Sequence, residues 1–172
     1  MNNFLKSLMA IALAAFVFTG CVEDPCDTLE CGLNGIPTES ADGSTCACEC
    51  INGFDGDACD VLATGKFIGN WDAADDCQAG YLNYQSLIDP FDGQQEQVEI
   101  FNFGNLGELL AWTANVSSDT IILPLSSDTN NDFQVLGMGI ISTDRNTINW
   151  NYTITDNLGG ADSCAGVWTR VQ

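Results

Sequence analysis

The sequence predicts a mainly β protein in which a small disulfide-rich module precedes a larger antiparallel β domain. The first observation is that the nine cysteines fall into groups of one, six and two: Cys21 alone, six within 26–59, and Cys77 with Cys164. The second is that, after position 66, short apolar or alternating runs are divided by turn residues, with no apolar stripe of helical period and length. These patterns favour strands over helices in the larger domain.

The first 20 residues are typical of a secretory signal peptide. Lys6 supplies a positive charge, residues 8–18 form an almost unbroken apolar run, and Thr19-Gly20 places small residues before Cys21. The apolar run is shorter than the roughly 18 to 20 residues needed to cross a bilayer. We therefore expect residues 1–20 to direct export and to be removed.

Residues 18–21, Phe-Thr-Gly-Cys, resemble the lipobox of bacterial lipoproteins. The resemblance implies that Cys21 carries fatty acyl chains such as palmitate, and that residues 21–25 are a lipidated N-terminus and linker. Several acyl chains would hold the protein at a membrane that it does not span. The alternative is an ordinary secretory signal in which Cys21 is a free or paired thiol.

Acidic residues follow Cys21 directly, at Glu23 and Asp24. They resemble the signal that sends lipoproteins of some Gram-negative bacteria to the outer face of the outer membrane. The resemblance implies an outer-membrane, lipid-anchored and surface-exposed protein that contacts the membrane only through its anchor. The alternative is a solvated acidic linker.

The charge of the mature chain limits its partners. All 24 acidic residues lie after Cys21, against three basic ones, Lys66, Arg145 and Arg170, which leaves a formal charge of −21. Such an excess repels phosphate backbones and anionic head groups. Nucleic acid is therefore excluded as a partner, whereas a small ligand or a protein partner is not.

The module predicted over 26–60 has few apolar side chains, so cross-links must offset its chain entropy. Disulfides typically contribute about 2 to 4 kcal/mol each. Spacing alone selects no pairing among the six cysteines of the module. These are Cys26, Cys31, Cys46, Cys48, Cys50 and Cys59.

Residues 48–59, CECINGFDGDAC, resemble the C-terminal half of an epidermal-growth-factor-like (EGF-like) module, with two cysteines one residue apart, Gly before an aromatic residue, a second Gly and a last Cys. Asn34-Gly35 also fits that family. The resemblance implies the disulfides Cys26–Cys46, Cys31–Cys48 and Cys50–Cys59.

Metal binding by this module finds little support. Glu23 and Asp24 stand where a calcium-binding subtype carries acidic residues, but Pro25 occupies the place of an expected ligand. A thiolate zinc cluster is opposed by export and by the absence of histidine from the chain. We expect neither a metal nor a cofactor.

The domain over 64–172 is predicted to be an antiparallel meander. Its edges must be hidden by closure into a barrel or by pairing of two sheets in a sandwich. A bond between Cys77, after the first strand, and Cys164, at the start of the last, would join the two ends and favours the barrel. The candidate strands are 66–71, 81–88, 97–103, 108–116, 120–125, 133–142, 147–154 and 163–171.

Gly69-Asn70-Trp71 and Arg170 resemble a compact version of the lipocalin pattern, in which a Gly-x-Trp on the first strand packs under a basic residue from the end of the barrel. The resemblance implies a lipocalin-like barrel closed by a cation–π pair of Trp71 and Arg170. The alternative is that the four tryptophans are core aromatics of an unrelated sandwich.

Catalysis is not expected. Without histidine, Ser-His-Asp and Cys-His nucleophiles and His-ligated metals are excluded. The carboxylate pairs Asp75/Asp76 and Glu96/Glu99 are predicted to be solvated faces or turns. Residues 128–132 resemble the start of a calcium loop, but Phe133 stands where Gly is required, so a hairpin turn is predicted.

The leading functional hypothesis is non-enzymatic binding of a small apolar or glycan ligand in the mouth of a barrel. Interior-facing positions of 133–142 and 147–154 would then line a cavity of a few hundred Å³. The alternative is a structural or adhesive cell-surface protein that has a filled core and makes protein–protein contacts.

Overall fold

The computed structural model describes residues 24–51, 53–128, 130 and 132–172. The predicted signal peptide, Cys21 and Glu23 lie outside these residues. The described residues form twelve strands and two short 3-10 helices. No helix in this part of the chain is long and apolar enough to cross a membrane.

The N-terminal disulfide-rich region contains two small antiparallel pairs. Strand β1 (Gly35–Glu39) pairs with β2 (Cys46–Cys50), and β3 (Phe54–Asp55) pairs with β4 (Val61–Leu62). Three disulfides cross-link the region in the pattern that the EGF-like resemblance implies: Cys26–Cys46, Cys31–Cys48 and Cys50–Cys59.

Eight further strands form a closed barrel, which confirms the predicted mainly β fold and selects the barrel over the sandwich. Each strand pairs antiparallel with the next, and the last pairs with the first, so the meander has no free edge. The strands are β5 (Gly69–Cys77), β6 (Gly80–Pro90), β7 (Gln97–Phe101), β8 (Ala111–Ser117), β9 (Thr120–Ser127), β10 (Phe133–Ile141), β11 (Thr147–Asp156) and β12 (Ala161–Arg170).

The first barrel strand differs from its prediction over 66–71. A 3-10 helix over Ala63–Lys66 precedes it, and β5 continues to Cys77, which is itself the register partner of Cys164 and is bonded to it. The segment 72–77 is rich in Asp, which is depleted in strands. Pairing with a neighbour on each side nevertheless holds it extended, since tertiary context overrides this local preference.

The barrel interior is filled by aromatic side chains that face glycines. Trp150 is the register partner of Gly139, and Tyr152 that of Gly137. A Cβ atom at Gly139 would lie 2.9 Å from Trp150 Cδ2, and one at Gly137 would lie 2.5 Å from Tyr152 Cβ. The largest fully buried side chains are Trp71, Trp112, Trp150, Trp168, Phe67 and Phe103.

One end of the barrel, here called the closed end, holds the start of β5 and the end of β12. Arg170 Cζ lies 4.3 Å from the centroid of the Trp71 ring, as the lipocalin resemblance implies. The Arg170 guanidinium also donates to the carbonyls of Ile68 at 2.7 Å, Arg145 at 2.9 Å and Lys66. These contacts fasten the last strand to the segment that precedes the first.

Lys66 connects the disulfide-rich region to the barrel. Its buried ammonium lies 2.5 Å from Asp55 Oδ2 and also pairs with Asp119, in the turn between β8 and β9. Burial opposes ionisation of Asp55, but the hydrogen bonds from Lys66 and from the Gly56 N–H outweigh it and lower its pKa. Burial likewise opposes the Lys66 charge, and the hydrogen bonds to both carboxylates reverse this and raise its pKa.

Candidate ligand site at the open end of the barrel

The opposite end, here called the open end, contains a cavity of about 450 Å³, referred to below as the mouth cavity. Its walls combine half-buried apolar side chains, which pack on the barrel core, with two acidic residues. The apolar residues are Leu82, Leu106, Phe133 and Ile154, and the acidic ones are Asp156 and Asp162.

Strand alternation explains why apolar side chains line this cavity. Leu82 on β6, Phe133 on β10 and Ile154 on β11 share the parity of the buried positions of their strands, so they point inward. They occupy the ends of those strands, where the interior meets solvent. The mouth cavity is therefore the outermost layer of the barrel interior.

A loop over residues 102–110, here called the plug loop, closes the interior beneath the mouth cavity. It joins β7 to β8 and inserts the fully buried Phe103 among three aromatic rings. The centroid of the Phe103 ring lies 4.9 Å from that of Trp150, 4.7 Å from Tyr152 and 5.4 Å from Trp168. Such edge-to-face and tilted pairs add to the energy of burial.

The plug loop makes its tight turn through left-handed backbone. Asn102, Gly104 and Asn105 have φ values of 57°, 64° and 59°. Glycine adopts this region without steric cost and asparagine tolerates it. The Asn102 side chain supports the turn, because its Oδ1 accepts from the Gly107 N–H at 3.2 Å and its Nδ2 donates to the Gln85 carbonyl at 2.8 Å.

Asp75 lies inside the barrel and organises the polar contacts beneath the plug loop. Only 1% of the residue is exposed. Its Oδ2 accepts hydrogen bonds from the Tyr84 hydroxyl at 2.6 Å and the Tyr152 hydroxyl at 2.5 Å, and its Oδ1 accepts from Trp168 Nε1 at 3.0 Å. The Tyr84 hydroxyl in turn accepts from the Gly104 N–H at 2.9 Å, which links Asp75 to the plug loop.

The space for Asp75 comes from Gly166 on β12, its register partner. A Cβ atom at Gly166 would lie 2.1 Å from Asp75 Oδ1. Burial raises the pKa of the Tyr84 and Tyr152 hydroxyls, and the neighbouring Asp75 raises both further. Both tyrosines therefore remain protonated donors to Asp75 at neutral pH.

The prediction that Asp75 is solvated is wrong. Adjacent residues of a strand point to opposite faces, so Asp75 is buried inside the barrel while Asp76 is exposed outside it. This separation also prevents the two from acting as a carboxylate pair. Glu96 is exposed, and Glu99 lies half-buried on the outer face of β7.

The interior is more completely filled than the ligand hypothesis predicts. Of the interior positions within 133–142 and 147–154, only Phe133 and Ile154 line the mouth cavity. Those deeper in the barrel, including Trp150 and Tyr152, are buried core residues. The prediction is therefore correct at the rim and wrong along the rest of the two strands.

The contacts of Asp128 are those of the predicted hairpin turn. Asp128 Oδ1 accepts from the Phe133 N–H at 3.0 Å, which is the arrangement of a turn between β9 and β10. The two clusters of potential metal ligands in the described part of the chain each include a cysteine that is already in a disulfide. A disulfide sulfur is not a thiolate ligand.

No protein-family model matches the chain. No curated protein matches it significantly in sequence.

Proposed function

We propose that this chain is an exported, lipid-anchored, non-enzymatic binding protein whose barrel takes a small apolar ligand at the open end. The observation that carries the proposal is the mouth cavity of about 450 Å³, which lies within the size range of small-molecule sites. Its apolar walls favour an apolar ligand over a glycan. Asp156 and Asp162 would contact a polar group at the solvent side.

Several features support export and anchoring. The four disulfides fit an oxidising compartment, where such bonds persist. The apolar run over 8–18 and the lipobox-like residues before Cys21 fit a lipoprotein leader. In this proposal Cys21 is acylated, the EGF-like region over 26–60 is a stalk, and the barrel is displayed on the cell surface.

Binding at the mouth can be tested with N-phenyl-1-naphthylamine, an uncharged apolar fluorophore. We expect saturable one-to-one binding to the native protein. Leu106→Asp, which places a carboxylate in the cavity wall, should abolish that binding. Leu109→Asp is a matched control because Leu109 lies in the same loop, is 95% exposed and does not line the cavity. Absence of saturable binding to the native protein, or equal loss in both variants, would contradict the proposal.

The anchor can be tested by intact-mass analysis of protein taken from its native membrane. The expected mass shows cleavage before Cys21, added acyl chains, and two hydrogens gained per disulfide on reduction. Cys21→Ser should leave the protein without acyl chains and release it from the membrane. An unacylated native mass would contradict the anchor while leaving the mouth site untouched.

A second candidate function, adhesion to another protein, is favoured by one surface feature. Four apolar side chains form a stripe on the outer face of β9 and β10, with exposures of 42% to 51%. Strand residues 111–117, 120–127 and 133–141 carry no charge, although the chain has 24 acidic residues. Contiguous exposed apolar surface marks interaction sites. The stripe consists of Ile122, Leu136, Met138 and Ile140.

The adhesive role predicts that Met138→Glu weakens association with a surface partner. Val167→Glu is the control, since Val167 is 49% exposed on β12, outside the stripe. Flow cytometry would compare how strongly the native protein and the two variants bind to whole cells that carry the partner. Equal binding by Met138→Glu, Val167→Glu and the native protein would contradict this role.

A further inference from the structure

We infer that the seat of Phe103 is a binding site for an organic cation, and that Phe103 occupies it as an exchangeable plug. This inference goes beyond the proposed function. It adds a second, deeper site, reached through the mouth cavity, for a ligand of another chemical class. The site consists of the aromatic cage formed by Trp150, Tyr152 and Trp168, together with the carboxyl group of Asp75.

The aromatic cage suits a cation because it surrounds one position with several π-systems. The Phe103 ring has all three rings within 5.4 Å of its centroid. A cation placed over the face of a Trp or Tyr ring, within about 6 Å of its centroid, is attracted by the ring quadrupole, and quaternary ammonium groups are bound in this way. Trp and Tyr give stronger sites than Phe, and the cage contains two Trp and one Tyr.

The carboxyl group of Asp75 lies beside the cage and offers a cationic ligand a partner. Its three donors are two hydroxyls and an indole N–H, and two of them belong to cage residues, Tyr152 and Trp168. The ion pairs between described residues involve Lys66, which lies at the closed end. A buried carboxyl group without a cationic partner is costly, and a bound cation would relieve that cost.

The cage also contains a polar atom that has no partner. Trp150 is 1% exposed, and its Nε1 finds no hydrogen-bond acceptor among the described residues. An unsatisfied buried donor is costly. A ligand that carries an oxygen acceptor near its cationic group would satisfy this donor, which no hydrocarbon could do.

In this inference the plug loop withdraws to admit the ligand. The left-handed turn at Asn102, Gly104 and Asn105 makes the loop compact, and Asn102 holds its base to the Gln85 carbonyl. One backbone hydrogen bond, from Gly104 to Tyr84, joins the loop to the Asp75 contacts. Gly104 and Leu106 line the mouth cavity, so withdrawal of Phe103 would join that cavity to the cage.

The test compares two probes of equal shape, phenyltrimethylammonium and its uncharged analogue tert-butylbenzene. Phe103→Ala removes the competing ring, so we expect phenyltrimethylammonium to bind this variant at least tenfold more tightly than it binds the native protein. It should also bind at least tenfold more tightly than tert-butylbenzene. Isothermal titration calorimetry gives both ratios. Phe67→Ala is the control, because it removes an equally buried ring at the closed end, outside the cage.

Asp75→Asn, combined with Phe103→Ala, should remove the preference for the cation while retaining binding of tert-butylbenzene. Phe103→Leu is the second variant should Phe103→Ala fold poorly, and it should show the same preference at lower affinity. In the native protein, phenyltrimethylammonium should raise the melting temperature more than tert-butylbenzene does at the same concentration.

Equal affinity for the two probes would overturn the inference, as would absence of phenyltrimethylammonium binding to a folded Phe103 variant. Such a result leaves the proposed function standing if N-phenyl-1-naphthylamine still binds the native protein and does not bind the Leu106→Asp variant. Failure of N-phenyl-1-naphthylamine to bind, together with cation binding to the Phe103 variants, would instead contradict the apolar-ligand proposal alone.

Discussion

Removal of the Cys77–Cys164 disulfide tests how far the barrel depends on a link between its first and last strands. The two cysteines are 87 residues apart in sequence, and the loop that their bond closes contains the six strands between β5 and β12. A closed loop of this size is worth roughly 4 to 5 kcal/mol in the chain-entropy estimate. Since about 1 kcal/mol shifts the melting temperature of a domain near this size by about 4 °C, the double variant Cys77→Ala/Cys164→Ala should melt roughly 15–20 °C lower.

Tryptophan fluorescence reports this transition specifically, because Trp71, Trp112, Trp150 and Trp168 are all buried in the barrel. The control is Cys50→Ala/Cys59→Ala, which removes a disulfide between residues only nine apart, in the N-terminal region. That variant should change the melting temperature of the barrel by less than about 3 °C, because its closed loop lies outside the barrel. If the melting temperature falls by less than about 5 °C in the barrel variant, or equally in both variants, the Cys77–Cys164 bond does not stabilise the barrel as the loop-entropy estimate requires.

Three further changes test other contacts. Asp55→Asn should flatten acid unfolding below about pH 4 in a circular-dichroism titration. Against the effect of burial, the hydrogen bond from Lys66 lowers the pKa of Asp55, so its carboxylate gives stability that is present above the unfolded pKa and is lost as pH falls through the folded pKa. An unchanged acid profile would contradict the role of Lys66. Arg170→Met should lower the free energy of unfolding in urea by about 2 to 4 kcal/mol, since it removes three hydrogen bonds and the contact with Trp71. A decrease below about 1 kcal/mol would show that these contacts do not fasten the closed end. Gly139→Ala should cost about 1 to 3 kcal/mol because the new Cβ lies 2.8 Å from Ile121 Cγ2, whereas Gly65→Ala, with nothing within 4 Å, should be nearly neutral in the same assay.

Periodicity was sufficient to predict the barrel strands whose side chains alternate clearly. Strands β10 and β11 begin at the predicted residues, since apolar and polar positions alternate within them and turn residues bound them. The predicted first strand, 66–71, begins and ends earlier than β5, because Asp residues dominate the second half of β5. The extended conformation of β5 depends on pairing with β6 and β12. A local sequence pattern does not contain these tertiary contacts.

The candidate site was less predictable than the fold. Asp75 and Asp76 are chemically identical neighbours, and only the register of β5 decides which one is buried. The sequence predicts Phe103 as the end of a strand over 97–103, because an aromatic residue after an apolar run favours a strand. The structure ends that strand, β7, at Phe101. The role of Phe103 as the plug depends on the left-handed turn at Asn102, Gly104 and Asn105, for which the spacing of Asn and Gly was the available signal.

The pairings of the module cysteines followed from family resemblance rather than from physics. Spacing left them open, whereas the EGF-like pattern over 48–59 implied the three bonds that the structure contains. Burial of Cys77 and Cys164 as register partners explains the fourth bond locally. Such a contact between the first and last barrel strands follows only from closure of the barrel.

Methyl NMR of the protein titrated with N-phenyl-1-naphthylamine would locate ligand binding at the open end. We expect saturable shifts for the methyl groups of Leu82, Leu106 and Ile154, which line the mouth cavity. Those of Leu136 and Ile140, on the outer face, should not move. Shifts confined to Leu136 and Ile140, or no saturable shifts at the mouth, would show that the open end is not the ligand site.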